Sequence, residues 1–218
     1  SLTEEAIFEG LEAVDDDNHF QKPYVVKTIN GSRVAVIGQA FPYTPIANPQ
    51  RFIPNLTFGI RDSELQELIN HIKNKEKPSL IVMLSHNGVD VDKKMASKVS
   101  GIDIILGGHT HDVLPKPVIV KNNSNSTLVI NSGCNGKFIS VLDLNVRGNS
   151  FSYKYKLLPV LSNQIKPSKK MIRLIDSLKK PHKDHLDQII GKSSLDLYRR
   201  GNFNGSFDNL ICDSLTHV

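Results

Sequence analysis

Two stretches decide how this chain folds: Leu80-Ile81-Val82-Met83-Leu84-Ser85-His86-Asn87-Gly88 and Ile102-Asp103-Ile104-Ile105-Leu106-Gly107-Gly108-His109-Thr110-His111-Asp112. Each opens with an apolar run of strand length and ends in a glycine-bearing loop that carries histidine. Between them, residues 92–99 read as a short helix ended by Gly101. Strand, helix, strand with continuous apolar runs predicts two fully buried parallel strands joined by a right-handed crossover. In an open α/β sheet, ligands bind outside the carboxyl ends of the strands. Both histidine clusters therefore leave the sheet at one edge, where glycine lets the backbone turn sharply and a ligand approach closely. His109 and His111, two apart on a segment that reads as extended, point to one side. Neutral imidazole is the commonest protein ligand for transition metals. A lone histidine after a strand is ordinarily a hydrogen-bonded surface or core residue. Two clusters on consecutive strands shift the balance, and His86, His109 and His111 become the candidate metal ligands.

Upstream, Thr3 to Glu9 read as a helix already under way, followed by the polar turn Asp15-Asp16-Asp17-Asn18. The acidic trio lacks the spacing of a calcium loop. Two β-branched runs, 24–29 and 33–37, flank Asn30-Gly31, a strong hairpin signal because both residues tolerate positive φ. A long loop from Gln39 to Phe58 carries prolines at 42, 45, 49 and 54; a loop so long and so stiffened is commonly functional. Asp62 or Ser63 is the expected cap of a helix with Leu65, Leu68, Ile69 and Ile72 on one face, stopped by Pro78.

Downstream, strands are expected near 118–121, 127–131, 138–146 and 151–158, with turns at Asn122-Asn123 and Gly148-Asn149. Their clearer alternation suits antiparallel pairs covered on one face. A polar, proline-bearing linker leads to a charged helix, 169–179, broken by Pro181 before a second helix, 182–190. The tail forms a glycine-rich turn and then an apolar helix with Phe207, Leu210, Ile211 and Leu215.

The bulk composition excludes more than it selects. The chain has 218 residues, 39% hydrophobic and 22% charged, enough for one sizeable core or one domain plus part of another. No apolar run is long enough to span a membrane as a helix. The net charge of +5 comes from scattered lysines, the mark of a solvated basic surface, and no basic stripe interleaved with aromatics points to nucleic acid. Cys134 and Cys212 form no metal-finger spacing and are expected to be free thiols. His19, His71, His182 and His185 all have ordinary solvent-facing explanations. No basic-then-apolar leader opens the sequence, and the chain reads as cut at that end.

Ser85-His86-Asn87-Gly88, followed by Gly108-His109-Thr110-His111, resembles the last two metal motifs of calcineurin-like metallophosphoesterases of the 5'-nucleotidase branch. The loop Gly38-Gln39-Ala40-Phe41-Pro42-Tyr43-Thr44-Pro45-Ile46-Ala47-Asn48-Pro49, with Phe52-Ile53-Pro54 and Thr57-Phe58-Gly59-Ile60-Arg61, is similar to the thiosulfohydrolases of the Sox sulfur-oxidation pathway. The tail from Tyr198 to Asp208 looks like the opening of their C-terminal nucleotidase-like domain. Nucleotidases of the branch usually carry Gln where this chain has His111. The family's earlier motifs, Asp-x-His, Gly-Asp and Gly-Asn-His, are not present; Asp17-Asn18-His19 imitates the last without its glycine. They are expected before residue 1.

The resemblance implies an α/β fold: the second half of a metallophosphatase-type layered sandwich with mixed sheets (1–158), a linker with helices (159–197), and the start of a nucleotidase-like domain (198–218). It implies two divalent ions, manganese in the family, with His86 and His109 on one and His111 on the other. It also implies release of sulfate from a cysteine-S-thiosulfonate on a sulfur carrier protein, and a periplasmic setting. Arg51, Arg61, Arg199 and Arg200 are candidates for gripping the anionic head group. Tyr43 joins Arg199 as a substrate-binding candidate, and Asp112 and Asn87 as residues that orient the imidazoles. Two alternatives stand beside this: a 5'-nucleotidase or related phosphoesterase, and a non-catalytic metal-binding module.

Overall fold

The computed structural model describes residues 1–16, 18–122, 125–199 and 205–217; Asp17, Asn123 and the start of the glycine-rich turn expected from Asn202 lie outside them. The described residues divide into two compact units, Ser1–Leu161 and Ser162–Val218. In the first, a short helix α1 (Glu4–Phe8), capped by the Thr3 hydroxyl, precedes the hairpin β1 (Tyr24–Ile29) and β2 (Ser32–Gln39). Asn30 and Gly31 turn that hairpin with φ of 48° and 81°, the geometry the dipeptide predicts. The proline-stiffened loop is not featureless. It holds α2 (Thr44–Ala47), with Pro45 in its first turn, and a single 3₁₀ turn, Gln50–Phe52.

Next come α3 (Asp62–Glu76), β3 (Leu80–Ser85), α4 (Val89–Lys98) and β4 (Ile104–Gly107), then β5 (Val118–Lys121) and β6 (Ser126–Asn131). The expected side-chain cap on α3 does not form. Arg61 holds the cap position in a left-handed conformation, φ 50°, and Asp62 is the first helical residue. Its carboxylate instead pairs with Lys98 Nζ at 3.0 Å, which holds that carboxyl below its ordinary value.

Six strands form one mixed sheet in the order β1-β2-β3-β4-β6-β5. The four inner strands run parallel, and the edge strands β1 and β5 pair antiparallel. The expected parallel pair is therefore present. On one face, α3 and α4 bury Leu65, Ile69, Ile72, Met95 and Ala96 against Ile37, Ile81, Met83, Ile105 and Val129. The other face is met by a hairpin, β7 (Phe138–Arg147) and β8 (Ser150–Pro159), whose Leu142, Leu144, Phe151 and Tyr155 pack, with Val82 of β3, on Ile104, Leu128 and Ile130.

The two central strands are not fully buried, contrary to what their continuous apolar runs predict. Leu84 and Leu106, partners in register, stay 49% and 38% exposed. An apolar run states that both faces avoid water but not how far the covering element reaches. The side chains of the β7–β8 hairpin pack on the cluster of Ile104, Leu128 and Ile130, to which neither Leu84 nor Leu106 belongs.

The second unit contains α5 (Lys169–Lys179), a 3₁₀ turn at 180–182, α6 (Lys183–Leu186) and α7 (Ser206–Thr216). The Ser168 hydroxyl caps α5. The helix expected over 182–190 is only the four residues of α6, because Pro181 sits inside a tight turn that leaves little helix to propagate. Among the described residues, no helix is long and apolar enough to cross a membrane, and both cysteines are free.

Candidate functional site

β3 and β4 end side by side, so the loops that follow them share one edge of the sheet. His86 is the first residue after β3, and its backbone N–H donates to the Gln39 carbonyl at 3.0 Å, continuing the ladder with β2. The loops after β3 and β4 interlock. Val89 N–H donates to the Thr110 hydroxyl at 3.2 Å, and Gly88, at φ 95°, leaves no room for a side chain beside Thr110: a Cβ would lie 2.6 Å from its methyl carbon. Gly108 likewise faces His86, where a Cβ would sit 3.4 Å from Nδ1.

The result is that His86 and His109 meet edge to face with ring centroids 5.1 Å apart. Phe41, from the proline-bearing loop, stacks on the His109 ring at 3.8 Å and lies 6.3 Å from His86. Tyr43 stands edge-on to Phe41 at 5.8 Å and is 45% exposed, so this loop walls one side of the histidine pair.

The segment carrying His109 and His111 is not extended. Both residues are left-handed, with φ of 79° and 60°, and a tight turn bonds Thr110 N–H to the Gly108 carbonyl. The two-residue alternation that would aim both rings to one side does not apply to such a backbone. His111 is exposed, and among the described residues no three His, Cys, Asp or Glu side chains gather into a ready metal site. As a donor set, the two adjacent imidazoles fit part of the coordination of one transition-metal ion.

The remaining candidates lie elsewhere or are otherwise engaged. Arg51 lies over the Phe52 ring at 4.7 Å. Arg61 bonds Ser1 Oγ at 3.2 Å and Thr57 Oγ1 at 2.7 Å, beside a surface depression of about 500 Å³ that none of the three histidines lines. Asp112 is exposed, and its carbonyl accepts from Gly133 N–H at 2.8 Å. In the second unit, Arg199 Nε pairs with Asp208 at 3.0 Å. Arg200 falls outside the described residues. Asn87 does not turn toward the imidazoles as expected. It is 3% exposed, and its amide donates to Gln39 Oε1 at 3.2 Å and to Asp92 Oδ1 at 3.3 Å.

Asp92 is the residue that motif reading passes over. It is fully buried on the first turn of α4, where its Oδ1 also accepts from the Ser85 hydroxyl. Burial pushes its carboxyl above the ordinary value, an effect that the Ser85 and Asn87 hydrogen bonds partly offset. The signal was present: Asp92 occupies an apolar-stripe position between Val89 and Met95, where an acid has no reason to be unless it is used. Register completes the picture. Gln39 pairs with Ser85, Leu84 with Leu106, and Gly107 with Asn131, so one polar rung crosses the four strand ends directly beneath the histidine loops. Asn87 Oδ1, Asp92 Oδ2 and both amide atoms of Asn131 are buried there without a hydrogen-bond partner among the described residues.

The geometry defines a mixed α/β fold with paired histidines at its strand ends. No family model matches the sequence. Among solved structures, a sulfate thiohydrolase SoxB from Thermus thermophilus superposes with TM-score 0.79 at 27% identity over 92% of this chain and 36% of its own. A 5'-nucleotidase precursor, also from Thermus thermophilus, superposes with TM-score 0.75 at 26% identity over 88% and 41%. In sequence, a 5'-nucleotidase from Diplobatis ommata is 24% identical over 90% of this chain and 37% of its own length. These neighbours place the chain in the 5'-nucleotidase/calcineurin-like phosphoesterase superfamily. The chain spans well under half the length of each of them.

Proposed function

We propose that the protein containing this chain is a metal-dependent hydrolase, and that His86 and His109 hold one divalent ion of a dinuclear centre with His111 serving the other. The observation that carries this reading is the 5.1 Å approach of the two imidazoles, delivered from the ends of adjacent parallel strands. Paired ions, when bound, lower the pKa of a bridging water and stabilise displaced oxygens. The chain's own contribution is to fix two imidazoles against each other and to shield one face of His109 with Phe41. His111, exposed on the same loop, is available to a second ion. Manganese is the proposed metal, from the family resemblance.

The finer proposal is release of sulfate from a cysteine-S-thiosulfonate borne by a sulfur carrier protein in the periplasm. It is supported by the Gly38–Pro49 loop, whose Phe41 and Tyr43 stand over the histidine pair as the wall of a cleft. It is supported also by the likeness to the sulfate thiohydrolase. Hydrolysis of nucleoside monophosphates is the second reading, favoured by the likeness to 5'-nucleotidases. Parallel assays of the full protein with Mn²⁺ decide between them. Sulfate release from a loaded carrier with little phosphate from AMP is the expected result. Efficient phosphate release without sulfate release overturns the sulfur reading.

A further inference from the structure

Both histidine loops rest on a residue that belongs to neither. Asp92 Oδ1 accepts from the Ser85 hydroxyl and from the Asn87 amide, the two neighbours of His86 in sequence. Ser85 Oγ in turn accepts the Asn87 backbone N–H at 3.1 Å, and Asn87 reaches back to Gln39, whose carbonyl holds the His86 N–H. These bonds, which orient the backbone on either side of His86, all trace to Asp92 or Gln39. The second oxygen of Asp92 faces the other loop. It lies where a side chain on Gly107 would be: a Cβ there would come 2.5 Å from Oδ2. Gly107 ends β4 and is two residues from His109. One fully buried carboxyl thus contacts the roots of both loops.

We infer that Asp92 is a positioning residue that sets His86 and His109 relative to each other, touching neither ring. The inference builds on the metal-site reading of those histidines but has a readout independent of it. Asp92→Leu removes the acceptor while keeping the branched outline of the side chain, so the Ser85 and Asn87 donors lose their partner and the β3 loop loses its orientation. Asp92→Asn keeps a carbonyl at Oδ1 and with it both hydrogen bonds. Gly107→Ala acts from the opposite side, displacing the carboxyl by crowding Oδ2 and leaving every hydrogen-bonding group in place.

The test uses the full protein, metal-free, with ¹⁵N-labelled imidazoles observed by NMR. In Asp92→Leu the ring signals of both His86 and His109 should shift or split, while that of His71 on α3 stays at its wild-type position. Asp92→Asn should restore both rings. Gly107→Ala should move the same two rings and spare His71, which covers the case in which Asp92→Leu fails to fold. Titration with Mn²⁺ should then show affinity reduced about 10- to 100-fold in Asp92→Leu and near wild type in Asp92→Asn, the scale expected when the support behind a ligand is lost. Unchanged His86 and His109 signals in folded Asp92→Leu would overturn the inference, as would His71 moving with them. If both rings shift but wild-type protein binds no Mn²⁺, the positioning role stands and the metal reading falls.

Discussion

Two rungs of the same sheet, two residues apart, show how one scaffold divides its work. Ile37, Met83, Ile105 and Val129 align across β2, β3, β4 and β6, and all are essentially inaccessible to water. The rung above them is Gln39, Ser85, Gly107 and Asn131. The lower rung stabilises the fold by area removed from water. On the upper rung both amide atoms of Asn131 are buried without partners among the described residues, as are Asn87 Oδ1 and Asp92 Oδ2 beside it, a net cost at the place where two loops leave the sheet. The strands run unbroken through both rungs and change character within two residues, and α4 matches the change: Met95 and Ala96 pack with the apolar rung, and Asp92 meets the polar one.

The sharpest way to break this comparison is at the histidines. In the full protein, His109→Ala should lower bound metal and abolish turnover with little change in thermal stability, whereas His71→Ala, an exposed helix substitution, should alter neither. Retained metal content and rate in His109→Ala would end the site assignment. On the lower rung the effect should reverse in kind. Ile105→Ala, at a fully buried position, should cost about 2–5 kcal/mol in denaturant unfolding. A loss below about 1 kcal/mol would mean that the apolar rung is not the stabilising centre claimed for it.

Asn131→Leu tests whether the polar rung is costly. Replacing a buried amide that has no partner among the described residues by an apolar side chain of similar size should leave stability unchanged or raise it by about 1 kcal/mol. A clear destabilisation would show that the amide is satisfied and that the upper rung is not a sacrifice.

The smallest effect concerns pH. Asp103, whose Oδ2 accepts Ile81 N–H at 2.7 Å at the opposite end of β3, has its carboxyl pushed up by burial, partly offset by that bond and by the Lys73 charge. A carboxyl raised in the folded state binds its proton more tightly there than in the unfolded chain. Its stabilising contribution is complete below the ordinary value of 3.8 and is lost as pH rises through the folded-state value. Asp103→Asn keeps an acceptor for Ile81 but cannot ionise. Urea midpoints across the acidic range should therefore fall less steeply with rising pH in the variant than in wild type; parallel curves would contradict the sign.

Local patterns in the sequence were enough for most elements. The Asn30-Gly31 turn, the 3.6-residue spacing of α3 and the apolar runs of β3 and β4 each depend on backbone preferences and burial within a few residues. Glycine-flanked histidine after two apolar runs likewise marked which strand ends would bring imidazoles together, and His86 and His109 do meet there. What the sequence alone did not determine is which groups meet once those ends are brought together. The Phe41 stack on His109 joins residues separated by α3, β3, α4 and β4, and nothing in either segment encodes the other. The left-handed turn at His109 and His111 stands where an extended segment is expected, with its Thr110 set against Gly88 and Val89, contacts that neither segment encodes alone. Asp92 was visible as an acid in an apolar stripe, but its role needed the register that sets Ser85 beside Gly107. Periodicity reports that a residue is buried. Only the tertiary arrangement says against what, because hydrogen bonds and steric exclusion act over a few ångströms in space and are indifferent to distance along the chain.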